Sequence, residues 1–296
     1  MGGGTADALS ALADVAGDLA CPVCARPLAF VDGSPAVLLC GAGHAFDVAR
    51  QGHVVLLRGG TRLRPDTAEM VAARERVLSS GAYGVVSAAL ADVVASHGPP
   101  SGPDGLVVDL GAGTGHHTAV VLDATPTRTG VALELSVPAL RRAARAHPRL
   151  AAVGADLTRP LPLRDASVGA AVALFAPLPT TDELARVCAP GARLVVVTPE
   201  PDHLVALRSR LDLLDVPAGK PDRLAERLSP GFAPVDRAHV RTEVTWSAGQ
   251  ATDVVAMGPN AWHPAPARDD LLRTWAERGE TVDDVVAVTV STLVRR

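Results

Sequence analysis

Apolar positions change their spacing twice along the chain. From about residue 21 to 58 they fall in short runs broken by glycine and proline: a turn at Cys21-Pro-Val-Cys24, a strand near Ala36 to Leu39, a second turn through Gly41-Ala-Gly-His44, and an apolar strand from Val54 to Leu57. From Pro65 the spacing becomes helical. Asp66 or Thr67 caps a helix running through Leu78, Gly81 breaks it, and Val85 to Ser96 forms a second helix that stops at Gly98-Pro-Pro. Beyond a Gly/Pro-rich stretch at 98–105, the clearest domain boundary, strand and helix patterns alternate: strands near 106–109, 129–134, 151–154, 168–174 and 193–198, helices near 114–123, 137–146, 181–188, 203–214 and 222–228. Such alternation predicts an α/β fold with a mostly parallel sheet and right-handed crossovers. The last segment departs from it, with strands near 236–245 and 283–294 flanking helices near 249–257 and 267–277, an order suited to an antiparallel pair closing one sheet edge.

Four segments are expected on this basis: a loosely ordered lead-in at 1–20, a small ribbon at 21–60, a helical linker at 61–104 and an α/β domain at 105–296. Met1 to Ala20 is Ala/Gly-rich and lacks a basic start, and no run of about 18 apolar residues follows anywhere. A soluble, cytoplasmic protein in a reducing compartment is therefore expected, with its four cysteines unpaired.

Composition adds only a little. With 48% apolar residues among 296, the chain can bury a large core, and a net charge of −4 advertises no polyanion partner. Charge clusters locally, however: Arg50, Arg58, Arg62 and Arg64 lie within residues 45–64 against the single acid Asp47. This is either a solvated face or an RNA-gripping one. Lys220 is the only lysine.

Cys21, Cys24, Cys40 and His44 are spaced as Cys-x-x-Cys, fifteen residues, then Cys-x-x-x-His. Two such knuckles place three thiolates and an imidazole around one tetrahedral ion, which leaves no open position and makes the zinc structural. A module this short also needs a metal to hold itself together. Cys188 has no partner in the pattern and reads as core packing, and His53 lies among apolar residues and is left out of the ligand set.

The second signature is Val107-Val-Asp-Leu-Gly-Ala-Gly-Thr-Gly115, an apolar strand running into an acid and a glycine-rich turn. Gly111, Gly113 and Gly115 let backbone pass close to a ligand. The spacing departs from the dinucleotide Gly-x-Gly-x-x-Gly and suits S-adenosylmethionine, which has no pyrophosphate to cradle. The fold class expected is thus a Rossmann-like, class I S-adenosylmethionine-dependent methyltransferase preceded by a zinc ribbon. Glu134 ends the next strand, where a carboxylate can take both ribose hydroxyls; Asp156 follows the third strand and can take the adenine amino group, with Leu157 against the ring. His116 and His117 open the helix after the turn, and Phe175, in Leu174-Phe-Ala-Pro177, stands at the sheet edge where a methyl acceptor must lie. Each acid has an ordinary reading as a cap or turn residue. No Ser/His/Asp or paired-carboxylate constellation stands out, and alignment alone carries much of a methyl transfer.

These blocks together resemble the bacterial large-subunit rRNA guanine-N1 methyltransferases, a family that includes tylosin-resistance enzymes of actinomycetes. The resemblance runs from about Cys21 to the C-terminus and also takes in Gly43-His-Ala-Phe-Asp-Val-Ala-Arg-Gln-Gly52, Asp66 to Arg74, Gly81-Ala-Tyr83, Val197-Thr-Pro199 with His203-Leu204, and Met257 to His263. It implies methylation of a guanine N1 in hairpin 35 of 23S rRNA, guanine 748 rather than 745 on the Gram-positive pattern of Gly113-Thr-Gly-His-His117 and Arg141 to His147, a role in macrolide resistance, and possible homodimers. Two positions depart from it: Gly52-His-Val-Val replaces a common Gly-Tyr-Val-Asn, and Ala82 replaces a frequent histidine before Tyr83. The candidate RNA contacts are Arg50, Arg58, Arg62, Arg64 and Tyr83, with Trp262 a second stacking candidate that reads first as core. Asp156 and His117 are the acids or bases to test as acceptor of the guanine N1 proton. The rivals are a small-molecule methyltransferase on the same fold and a non-catalytic zinc-ribbon RNA-binding protein.

Overall fold

The computed structural model describes residues 3–31, 34–61, 63–96, 105–263 and 265–296, with the side chains of 3–6 and 34–35 left aside. Chain order is helix α1 (Gly3–Val15), strands β1 (Leu28–Val31), β2 (Ser34–Cys40), β3 (Ala45–Asp47) and β4 (Val54–Val55), then helices α2 (Ala68–Ser79) and α3 (Gly84–Ala95). The α/β portion continues with β5 (Leu106–Leu110), α4 (His116–Ala124), β6 (Gly130–Glu134), α5 (Val137–Ala143), β7 (Leu150–Gly154), β8 (Val168–Leu174), α6 (Thr181–Val187) and β9 (Cys188–Pro199). It ends with α7 (Val205–Leu211), α8 (Lys220–Leu228), β10 (Phe232–Ser247), α9 (Ala248–Ala256), α10 (Pro266–Arg278) and β11 (Thr281–Arg295). Most of the expected 98–105 boundary lies outside the described residues.

Eight strands form one sheet in the order β10-β11-β9-β8-β5-β6-β7-β4, parallel from β9 through β4 and antiparallel at the β9–β11 and β11–β10 pairs. The chain leaves β5 toward β6 and β7 on one side and returns to β8 on the other. The carboxyl end of β5 is therefore the point where the winding reverses, the position at which open α/β sheets bind ligands. The antiparallel closure at one edge follows the expectation, and the exposed edge strand β10 is lined with charge: Arg237 pairs with Asp222 at 2.7 Å and Arg241 with Asp202. Such pairing protects an edge from joining another sheet.

The parallel strands are apolar on both faces, so both faces need a cover. Alternate residues divide between two cores. Leu106, Val108 and Leu110 of β5, with Leu133 and Val153, pack under α1, the zinc ribbon and α6; Val107, with Ala132, Ala152 and Val172, packs under α2, α3, α4 and α5. Three expectations are corrected here. The segment taken as a loose lead-in is helix α1, and its Ala11, Leu12 and Val15 are fully buried against the sheet. Its buried residues Ala8, Ala11, Leu12 and Val15 keep helical spacing with Asp7, Ser10 and Asp14 exposed, a pattern hidden by how small most of them are. The strand at Val54 does not end with the ribbon: beside its antiparallel bridge to Val48, the two-residue β4 pairs in parallel with β7 at the edge of the large sheet. Finally, the helical linker is a layer of the α/β core rather than a spacer, with Val77, Val86 and Leu90 buried in it.

Thr67 caps α2 by accepting from the Met70 N–H at 3.3 Å. Gly81, at φ +84°, makes the bend between α2 and α3. Among the described residues no single helix is long and apolar enough to cross a membrane.

Docking of α1 rests on apolar burial, so Leu12→Ala, at a residue with 0% exposure, is expected to cost about 2–5 kcal/mol. Urea melts of the two proteins measure it, and superimposable curves would mean that α1 is not docked in solution.

Candidate methyl-transfer and zinc sites

At the amino-terminal knuckles the structure brings Cys21, Cys24, Cys40 and His44 together, their ligand atoms all within 4.8 Å of one another. Cys24 Sγ lies 3.6 Å from Cys40 Sγ, and His44 Nδ1 lies 3.6 Å from Cys21 Sγ and 3.4 Å from Cys40 Sγ. With Zn–S near 2.3 Å and Zn–N near 2.0 Å, a tetrahedral site has ligand-to-ligand edges of about 3.5–3.8 Å. The four side chains therefore fit zinc. Burial pushes the Cys40 thiol up, but hydrogen bonds from the Ala42 and His44 backbone and from the Cys24 and His44 side chains bring it down to about 6, toward the thiolate that a metal needs. His53 stays outside the cluster, and Cys188 is buried at the start of β9, where burial holds its thiol up at about 12, as core packing requires.

The second site lies at the carboxyl ends of β5, β6, β7 and β8. Gly111, Gly113 and Gly115 all take positive φ, at +81°, +54° and +76°, but they do different things. A Cβ on Gly111 would strike Ala176 Cβ at 2.7 Å, with Leu157 Cδ1 next at 3.8 Å, and one on Gly113 would lie 3.3 Å from the Arg74 guanidinium. These two positions shape the cradle. A Cβ on Gly115 would instead meet Leu150, Ala143 and Ala146 at 3.0–3.1 Å, so this glycine also lets α4 close onto β7 and α5.

Three acids stand at three strand ends in three environments. Asp109 is buried; Thr118 Oγ1 donates to its Oδ2, while Oδ1 has no partner among the described residues. Burial raises its carboxyl to about 7, opposed by the Thr118 hydrogen bond and reinforced by Glu134. Glu134 is fixed from both sides: Oε2 accepts from the Gly113 N–H at 2.9 Å and Oε1 from the Leu135 and Ser136 N–H groups at 2.7 and 2.8 Å. Asp156 is enclosed, accepting from Thr61 Oγ1 at 2.7 Å and Thr158 Oγ1 at 2.6 Å. Burial alone would raise it, yet those hydroxyls, the Thr158 N–H and the nearby Arg159 hold it below the usual carboxylate range. Leu157, buried beside it, faces the Gly111 turn.

His116 and His117 open α4, ring to ring at 5.3 Å. His117 Nδ1 is 2.7 Å from Ser87 Oγ on α3, and burial, with His116 and Arg74 nearby, lowers it to about 3. It is a neutral, weakly basic ring, unsuited to collect the guanine N1 proton; Asp156 is committed to two hydroxyls and is no better placed.

Phe175 follows β8 at φ +55°, a strained conformation for an aromatic residue, and is 41% exposed. Beneath it Tyr83 meets its ring edge-on at 6.2 Å, and His203 lies at 5.6 Å. Tyr83 had been expected to stack on RNA. At 2% exposure, with its hydroxyl 3.2 Å from His203 Nε2, it has no face open to a base and supports Phe175 instead. Burial pushes its phenol well above its ordinary value. His203 was visible in sequence only as part of a family block, because its partner lies 120 residues away.

Of the arginines, Arg50, Arg58 and Arg64 are exposed and Arg62 lies outside the described residues. Arg64 stacks on Trp262 with its guanidinium carbon 3.8 Å from the ring centroid, so Trp262 is neither free nor core.

A buried acceptor without a partner on Asp109, a cradle at Gly111 and Gly113, and a carboxylate and an apolar side chain at successive strand ends fit S-adenosylmethionine. This fold and site define a class I methyltransferase carrying a structural zinc ribbon. Residues 19–58 match the family model described as RlmA, N-terminal, and residues 108–196 match a methyltransferase domain. A relative from Streptomyces fradiae, named 23S rRNA (guanine(748)-N(1))-methyltransferase, is 46% identical over 88% of this chain and 90% of its own length. One from Micromonospora griseorubida, provisionally named a 23S rRNA (guanine-N1)-methyltransferase, is 47% identical over 86% and 90%. The chain belongs to the family of 23S rRNA (guanine-N1)-methyltransferases. Among solved structures, the [4+2]-cyclase SpnF is 18% identical with a TM-score of 0.46, covering 80% of this chain and 98% of that one, a likeness too remote to bear on function.

Two outcomes are expected. Cys24→Ser removes one of four ligands and should lower bound zinc, measured by elemental analysis, and weaken RNA binding while leaving cofactor affinity in place; undiminished RNA affinity in a zinc-depleted protein would separate the ribbon from recognition. Asp109→Asn should stabilise the cofactor-free chain at pH 8 and much less at pH 5. The folded pKa of about 7 lies above the ordinary carboxylate value, so the folded chain keeps a proton that the unfolded chain releases, and stability falls as pH rises through that interval. Equal melting-temperature differences at both pH values would contradict this.

Proposed function

We propose that the chain transfers the methyl group of S-adenosylmethionine to N1 of guanine 748 in hairpin 35 of 23S rRNA, and thereby contributes to resistance to tylosin-type macrolides. The observation that carries this reading is the 46% identity with the guanine-748 enzyme across both the zinc ribbon and the α/β domain. Intact Asp109, Gly111, Gly113 and Glu134 favour an active enzyme over a binding protein that has lost its cofactor site.

Bound S-adenosylmethionine supplies an activated methyl group on a sulfonium. Glu134, already drawn against the Gly113 turn, would hold the ribose, and Asp156 and Leu157 would take the adenine, with Asp109 buried beneath the turn. The acceptor arrives over Phe175, whose exposed ring offers a guanine a flat apolar partner. Guanine N1 is hidden in a base pair, so the base must come from a loop or be flipped out. Arg50, Arg58 and Arg64 grip the hairpin backbone, a role their exposure supports. On the same reading the chain is cytoplasmic and works as a homodimer.

The test uses labelled S-adenosylmethionine and purified protein with a hairpin 35 transcript, its guanine 748→adenine variant, and a mixture of small metabolites. Label in the RNA, with a primer-extension stop at guanine 748 that disappears in the variant, is the expected outcome. Label confined to small molecules, or a stop at another guanine, would sink the assignment.

A further inference from the structure

Arg74 belongs to the 66–74 segment, for which no chemistry has been found so far. It sits in the middle of α2, yet its side chain reaches across to the glycine turn after β5. A Cβ on Gly113 would lie 3.3 Å from its Nη1 and 3.5 Å from its Cδ, so the arginine side chain lies against the turn where Gly113 leaves room for it. Asp66 Oδ2 forms an ion pair with Nη1 at 2.6 Å, and the Met257 carbonyl accepts from Nη2 at 2.7 Å. The ion pair and the hydrogen bond hold the guanidinium at both of its terminal nitrogens and leave other N–H groups of its five available. The side chain keeps 24% of its surface exposed, so a ligand can reach it.

The two sides of the Gly113 peptide thus have opposite charge. Glu134 accepts from the Gly113 N–H on one side, and Arg74 lies over the α-carbon on the other. S-adenosylmethionine has matching ends, a ribose with two hydroxyl donors and an amino acid with a carboxylate. We propose that Arg74 is a positioning residue that receives the methionine carboxylate and so sets where along the turn the sulfonium lies. A fork of parallel N–H groups suits a carboxylate better than an ammonium point charge does. Asp66 and the Met257 carbonyl hold the fork in register, which ties the 66–74 segment and the 257–263 segment to one cofactor group.

This inference rests on the methyl-donor reading of the turn but not on the RNA target. Isothermal titration of the zinc-replete chain with S-adenosylhomocysteine and with methylthioadenosine, which keeps the adenosine and sulfur but lacks the amino acid, tests it. Arg74→Met should weaken S-adenosylhomocysteine by about 10- to 100-fold and leave methylthioadenosine unchanged, with Arg74→Lys in between. Equal losses for both ligands, or none for either, would overturn it. Should Arg74→Met not fold, the wild-type chain decides: a homocysteine analogue lacking only the carboxylate should bind weaker by the same factor, and equal binding refutes the assignment. No RNA enters these titrations, so failure at guanine 748 would leave the result standing, and the converse also holds.

Discussion

A parallel sheet that is apolar on both faces has to be covered on both, and in this protein the covers are also the functional modules. On one face lie α1, the zinc ribbon and α6; on the other lie α2 to α5, with α2 carrying Arg74. The glycine turn after β5 emerges between the two layers, where the winding reverses. Burial of Leu106, Val108 and Leu110 on one side and Val107 on the other fixes the strand's orientation, and that places Asp109 under the turn instead of in solvent. The cofactor site is thus a consequence of two-sided burial, since shifting β5 by one residue would exchange the faces of every side chain on it.

The same logic explains how three acids of one residue class do three different jobs. Asp109 is deep and nearly unpartnered, so its charge is suppressed; Glu134 is pinned by three backbone N–H groups; Asp156 is drawn into ionised form by two hydroxyls. Depth and hydrogen-bond supply both differ among them. None of the three has the freedom of a proton shuttle, consistent with a transfer that depends on alignment more than on acid–base chemistry.

Features coded by spacing within a few residues were readable in the chain. Cys21, Cys24, Cys40 and His44 converge as their intervals require, and the strand–glycine-turn–helix unit from Leu106 to Ala124 forms nearly as expected, as do the long antiparallel strands β10 and β11. Features decided by distant partners were not readable. Helix α1 carries small residues whose burial depends on β7 and the ribbon. Tyr83 looks like an exposed aromatic until His203 and Phe175 close over it, and the Asp156 carboxylate meets Thr61 across 95 positions. Arg74 is a further instance: helical periodicity marks it as one more charged surface position, and only the absence of a side chain at Gly113 reveals where it goes.

One segment joins the two signatures that first stood apart. Residue 54 starts β4 on the edge of the large sheet, and the chain then crosses the carboxyl ends of the strands: the Arg58 and Gly60 carbonyls accept from Arg159, Thr61 donates to Asp156, Arg64 stacks on Trp262, and the Asp66 carbonyl accepts from Ser136 at 2.7 Å before α2 begins. Two of the exposed arginines, Arg58 and Arg64, lie on the same strap that meets Asp156. The ribbon and the methyl-transfer domain are therefore joined by a segment that is itself fastened to the strand ends, at Asp156 by the hydrogen bond from Thr61.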